Sequence, residues 1–170
     1  VLFGDYNPSG KLPVTFPHDT GQVPLYYNHF NTGRPGRVDG YHTSKYLDAP
    51  IEPLFPFGFG LGYASFDYAN LTLDAESIAA GESIRVSVGV TNTGARPGHE
   101  VVQLYLRDRV ASLARPVREL RGFEKVYLNP GETRSVTFEL GFDEMAMLDA
   151  SGRVVVEPGM FLVQVGPDSR

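Results

Sequence analysis

Residues 84–90 read Ile-Arg-Val-Ser-Val-Gly-Val, an unbroken alternation of apolar and polar or small positions. A strand turns successive side chains to opposite faces, so this pattern predicts a half-buried β-strand with Ile84, Val86, Val88 and Val90 on the core side. The same period returns downstream at 101–106, 120–128, 134–140 and 161–165, and upstream at 66–73. Turn-forming clusters separate the runs: Asn92-Thr93-Gly94, Asn129-Pro130-Gly131-Glu132, Ala150-Ser151-Gly152 and Glu157-Pro158-Gly159. Short strands at this spacing predict an immunoglobulin- or fibronectin III-like β-sandwich over residues 63–170. Residues 143–148 tolerate a helix and are read as a single turn crossing between the sheets.

Residues 1–62 are different in kind. They hold eight prolines (8, 13, 17, 24, 35, 50, 53 and 56), which break any helical run, yet also 11 of the 20 aromatic residues. A segment so rich in Phe and Tyr is no solvated linker, and it is expected to be ordered, irregular and buried against something. Asn7-Pro8-Ser9-Gly10 has turn chemistry. Residues 11–16 alternate, with Leu12, Val14 and Phe16 on one face, and predict a short edge strand that joins a sheet formed elsewhere. The composition shifts near residue 62, ahead of the sandwich at 63–170.

Several classes of function are excluded or disfavoured. A formal net charge of -5 with scattered Lys and Arg disfavours a nucleic-acid partner. No cysteine is present, so there are no disulfides and no thiolate metal sites. His18, His29, His42 and His99 lack metal-ligand spacing, and neither a metal nor a cofactor is expected. No apolar run reaches the roughly 18 residues of a membrane span. The opening VLFGDYNPSG has neither the basic start nor the apolar stretch of a secretory leader, so a soluble chain, already processed if exported, is expected. Gly58, Gly60 and Gly62 precede no helix that could hold phosphate, and close packing of the segment explains them better.

The stretch from Gly4 to Pro17, GDYNPSGKLPVTFP, resembles the end of the α/β-sandwich domain of glycoside hydrolase family 3. Tyr26-Tyr27-Asn28-His29 and Asn31-Thr32-Gly33-Arg34-Pro35 resemble the segment that follows in bacterial members. Residues 54–63, LFPFGFGLGY, resemble the link into that family's C-terminal domain. Residues 90–94, 101–106 and 120–125 are similar to its fibronectin type III-like domain. The resemblance divides what precedes the sandwich into 1–25, the end of the α/β-sandwich domain, and a connecting segment 26–62. The resemblance implies the C-terminal portion of a retaining, exo-acting β-glucosidase whose catalytic carboxylates lie upstream, in the same polypeptide or a cleaved companion chain. This portion would then be inactive alone and would cover the catalytic domains. The whole enzyme would bind a β-linked oligosaccharide, with a homodimer as a further expected partner and the periplasm or the exterior as its location. The rival reading is a free-standing carbohydrate-binding or adhesion module, which leaves the strand at 11–16 without a use.

Two regions are candidates for function. Aromatic faces with amide and guanidinium donors suit a sugar site, which points to His29, Asn31, Arg34 and Tyr41 as residues at the rim of a substrate site. The same aromatics could equally fix the segment to neighbouring domains. The loop 108–118 carries Arg109, Leu113 and Arg115, a mixed basic and apolar surface suited to interdomain docking.

Overall fold

The computed structural model describes residues 1–37 and 39–170. Two three-stranded antiparallel sheets face one another. One contains β1 (Phe66–Leu73), β2 (Ile84–Asn92) and β5 (Thr133–Leu140) in the order β1-β2-β5. The other contains β3 (Gly98–Asp108), β4 (Glu119–Leu128) and β8 (Phe161–Gly166) in the order β4-β3-β8. A four-residue helix α1 (Phe142–Met145) and the hairpin of β6 (Met147–Leu148) with β7 (Val154–Val155) carry the chain from the first sheet to the second. The expected single turn between sheets is therefore present.

The alternation at 84–90 does what it predicts. Val86, Val88 and Val90 point inward and meet Val102, Leu104, Val126, Leu128, Val136 and Leu140 from the neighbouring and opposite strands. Each of these side chains, once removed from water, contributes roughly 1.5–3 kcal/mol to holding the sheets together. Asn92 closes the end of β2: its amide donates to Leu128 O (3.0 Å) and Arg96 O (2.8 Å), and its Oδ1 accepts from the Gly94 amide (2.9 Å). A fully buried polar side chain is tolerated here because its hydrogen bonds are made.

Residues 7–62 do not stand apart from the sandwich. Asn7–Gly10 forms no turn, contrary to its chemistry; Asn7 is drawn instead into a clamp, accepting from the Tyr63 amide (2.8 Å) and donating to Pro97 O (3.0 Å). Residues 11–16 run beside 55–59, with Leu12 bonded to Phe59 and Gly58, and Phe16 forming an isolated bridge to Phe55. No regular strand forms over 11–16, which bends at Pro13 and Val14, and its backbone partner lies within the chain at 55–59, while Val14 and Phe16 stay exposed. Lys11 reaches across to Glu100 on β3 (2.9 Å), and Tyr68 donates to the same carboxylate oxygen (2.9 Å).

The glycines at 58, 60 and 62 are explained by this seam. A Cβ on Gly58 would collide with the Gln103 side chain, one on Gly60 would lie 2.6 Å from Gly10 O, and one on Gly62 would lie 2.9 Å from both Asn7 Oδ1 and Pro8 O. Gly58 also has φ +81. Gly58→Ala is expected to cost about 1–2 kcal/mol from the backbone alone, more if Gln103 is displaced, and a lowered urea midpoint with unchanged slope would show it.

Candidate functional site

The connecting segment lies on the outer face of the β4-β3-β8 sheet. Strand β3 presents Val102, Leu104 and Leu106 to the core and the intervening Gln103 and Tyr105 to the other side, yet Gln103 is 3% and Tyr105 2% exposed. Tyr27 stacks on Phe57 (4.2 Å between centroids, 18°) and meets Tyr105 edge-on (5.9 Å, 71°), while its hydroxyl accepts from the Leu120 amide (3.3 Å). Gln103 donates to Gly58 O (3.1 Å) and Pro167 O (2.6 Å) and accepts from the Tyr105 hydroxyl. Burial first, then the neighbouring Tyr27 and Asp168, pushes the Tyr105 phenol well above its ordinary value. Tyr27 therefore fixes the segment in place, and no sugar could reach its stacked face.

From this anchor the chain runs to the loop between β3 and β4. Val117 donates its amide to His29 O (2.9 Å), and Phe30 bridges to Pro116. These bonds bring Asn31 to the edge of a cleft of ≈ 360 Å³ whose other wall holds Arg107, Arg109, Leu113 and Arg115. One of the rim candidates and all three docking candidates thus border a single space. His29, Arg34 and Tyr41 do not line it, although all three are exposed. His29 keeps Nδ1 3.0 Å from Phe30 O, Arg34 is held through backbone bonds to Thr32 and Ser44, and Tyr41 packs edge-on against His42 at 4.8 Å.

Loop 108–115 is held from two sides. At its far end Arg115 pairs with Glu119 (2.7 Å), which also takes Arg121 (3.1 Å). At its near end the Arg109 amide continues the β3–β8 ladder to Met160 O (3.1 Å). Between them, Glu157 accepts from both the Ser112 hydroxyl and the Ser112 amide (2.7 Å). The hydroxyl first, then the amide, holds the Glu157 carboxyl below its ordinary value of 4.5. A depressed carboxylate contributes stability that is complete above the ordinary value and is lost as pH falls through the lower folded one. The Ser112 amide resonance is accordingly expected to shift below about pH 4.5 in the native protein and to lose that shift in Glu157→Gln; a pH-independent resonance would contradict the clasp.

Sequence reasoning missed Gln103, Tyr105 and Glu157. The run Val-Val-Gln-Leu-Tyr-Leu at 101–106 carried the one available signal, since a strand so poor in charge suits burial on both faces. Glu157 gave none, because Glu-Pro-Gly reads as a turn.

With the geometry set out, the chain can be placed among known proteins. Residues 1–63 match the glycosyl hydrolase family 3 C-terminal domain, and residues 100–169 match the fibronectin type III-like domain. The chain is 46% identical over 171 residues to a periplasmic beta-glucosidase of Salmonella typhimurium, covering 99% of this chain and 22% of that protein. It is 49% identical over 170 residues to a beta-xylosidase of Formosa agariphila, covering 100% of this chain and 23% of that one. The crystal structure of a beta-glucosidase from Listeria innocua in complex with glucose superposes with a TM-score of 0.93 at 44% identity, over 99% of this chain and 24% of that chain. The chain spans about a fifth to a quarter of the length of these proteins. Two family matches in sequence order, similarity along the whole chain and the same fold lead to one conclusion: the chain belongs to glycosyl hydrolase family 3, as part of its C-terminal region.

Proposed function

We propose that this chain is the supporting C-terminal portion of a retaining β-glucosidase that removes terminal, non-reducing β-D-glucosyl residues. The observation that carries the reading is the similarity to β-glucosidases over 99% of the chain, in sequence and in fold alike. Retaining hydrolysis needs two carboxyl groups about 5–5.5 Å apart on either side of the glycosidic bond, and the proposal puts both in the upstream domains. This portion contributes the covered sheet, the connecting segment and the sandwich. Its own residues would act by fixing Asn31 and Arg34 near the rim of the substrate site, and a homodimer is the further assembly proposed. The β-xylosidase relative makes a xyloside the competing substrate, and the periplasmic relative supports a periplasmic or secreted location.

The deciding assay is release of phenol from aryl β-glucosides and β-xylosides by this chain and by the full-length polypeptide that carries it. The isolated chain is expected to show no turnover and the full-length protein to prefer the glucoside. Turnover by the isolated chain would overturn the assignment of both carboxylates upstream. In the full-length enzyme, Asn31→Ala and Arg34→Ala are each expected to lower kcat/KM for a disaccharide by about tenfold, the worth of one hydrogen bond, and to alter the simple aryl glucoside less. Equal effects on both substrates would place these residues elsewhere than beside the leaving group.

A further inference from the structure

In a chain of net charge -5, the cleft beside Asn31 gathers Arg107, Arg109 and Arg115. Only Arg115 is neutralised, by the Glu119 that it shares with Arg121. Arg107 makes no side-chain hydrogen bond or ion pair among the described residues. The Arg109 guanidinium touches the Met160 sulfur at 3.4 Å, and a thioether is a weak acceptor. One carboxylate, Asp108, lines the cleft with these arginines and accepts from the Val110 amide (3.2 Å), forming no ion pair with either guanidinium among the described residues; Glu157 is taken up by Ser112. Arg107 lies near the end of β3 and Arg109 just beyond it, where the Arg109 amide still bonds to Met160 O (3.1 Å). Arg118 lies close enough to Arg107 to feel its charge. Two guanidiniums outnumber the one lining carboxylate, Asp108, and with the Asn31 amide they leave an open cleft of ≈ 360 Å³ with an excess of positive charge for an anion to meet.

We propose that Arg107 and Arg109 bind the carboxylate of a uronate unit on an oligosaccharide seated in this cleft. The inference rests on the reading of the whole protein as an oligosaccharide hydrolase and adds a substrate class to it. A planar guanidinium meets a carboxylate through paired N–H donors, and Asn31 would serve the neighbouring hydroxyls. The site is open to water, so binding should weaken as ionic strength rises.

The test uses the full-length polypeptide with two disaccharides, glucosyl-β-1,4-glucose and glucosyl-β-1,4-glucuronate. The ratio of kcat/KM for the acidic over the neutral substrate is expected to fall about tenfold in Arg107→Ala/Arg109→Ala and further in Arg109→Glu. A ratio unchanged in both variants overturns the proposal, since it compares two substrates on the same folded enzyme. Titration with free glucuronate, followed by NMR, provides a readout without turnover. Binding by the native protein, weakened by 0.5 M salt and lost in Arg109→Glu, supports the site even where neither disaccharide is cleaved, a result that would sink only the hydrolase reading. No glucuronate binding by the full-length protein overturns the proposal, the outcome expected if an acidic side chain from upstream fills the cleft.

Discussion

Glu100→Ala is expected to destabilise the protein by about 3 kcal/mol or more, because it breaks a nearly buried ion pair by removing one partner. The Glu100 side chain is 8% exposed and the Lys11 side chain 15%, so the ammonium left behind would have little water to replace the carboxylate. The Tyr68 hydroxyl loses its acceptor in the same step. Glu100→Gln separates the two losses, since the amide oxygen can still accept from Tyr68 but carries no charge for Lys11. The order native, Gln, Ala in urea midpoint is expected; equal midpoints for all three would show that the pair is solvated and idle. Burial first, then Glu100, raises the Tyr68 phenol above its ordinary value of 10.0. A raised folded value adds stability that is fully present below pH 10 and lost as pH climbs toward the folded one. Alkali should therefore loosen this seam, and Tyr68→Phe should flatten that part of the stability profile.

Leu104→Ala is expected to cost about 2–5 kcal/mol, the range for deleting a large apolar side chain from a site that cannot collapse around the loss. Leu104 is 0% exposed and packs with Val86, Leu106 and Leu140 between the sheets. Strand β3 is central in its sheet, hydrogen-bonded to β4 on one side and β8 on the other, so its backbone has little room to move inward. Thermal and chemical unfolding of the variant would measure the cost. A loss under about 1 kcal/mol would mean that the core is less closely packed than the contacts indicate.

The two predictions concern parts of the molecule that were unequally legible. Leu104 could be assigned to the core from the sequence, because alternation is local and strands obey it. The strands near 84–90, 120–128 and 134–140 lie where the period puts them for the same reason. The Lys11–Glu100 pair could not be seen, since it joins positions 89 apart and the two residues carry no signal of each other. Gln103 and Tyr105 carried only the charge-poor run 101–106 as a hint of burial, and what covers them, Gly58 and Tyr27, shows only in the fold. The aromatic wealth of the connecting segment announced burial that is only half realised: Tyr27, Phe55, Phe57 and Phe59 are drawn in, while Tyr26, Phe30, Tyr41 and Tyr46 stay exposed. The cleft was legible only in halves. Asn31 and Arg109 each drew attention for their own chemistry, and tertiary bonds such as Val117 to His29 put them beside one space.

The double covering of β3 also bears on how such a protein can be cut and rejoined. A break at residue 63 follows the change in composition and would release a segment with the outline of a portable β-module. It would also strip Gly58, Phe57 and Tyr27 from Gln103 and Tyr105, uncovering the middle of a sheet whose outer face is built to be dry. Gene fusions and truncations that respect the seam would carry residues 7–62 along with the sandwich. The unit that can be transplanted is then larger than the unit that can be recognised, and its first residue of consequence is the asparagine at position 7.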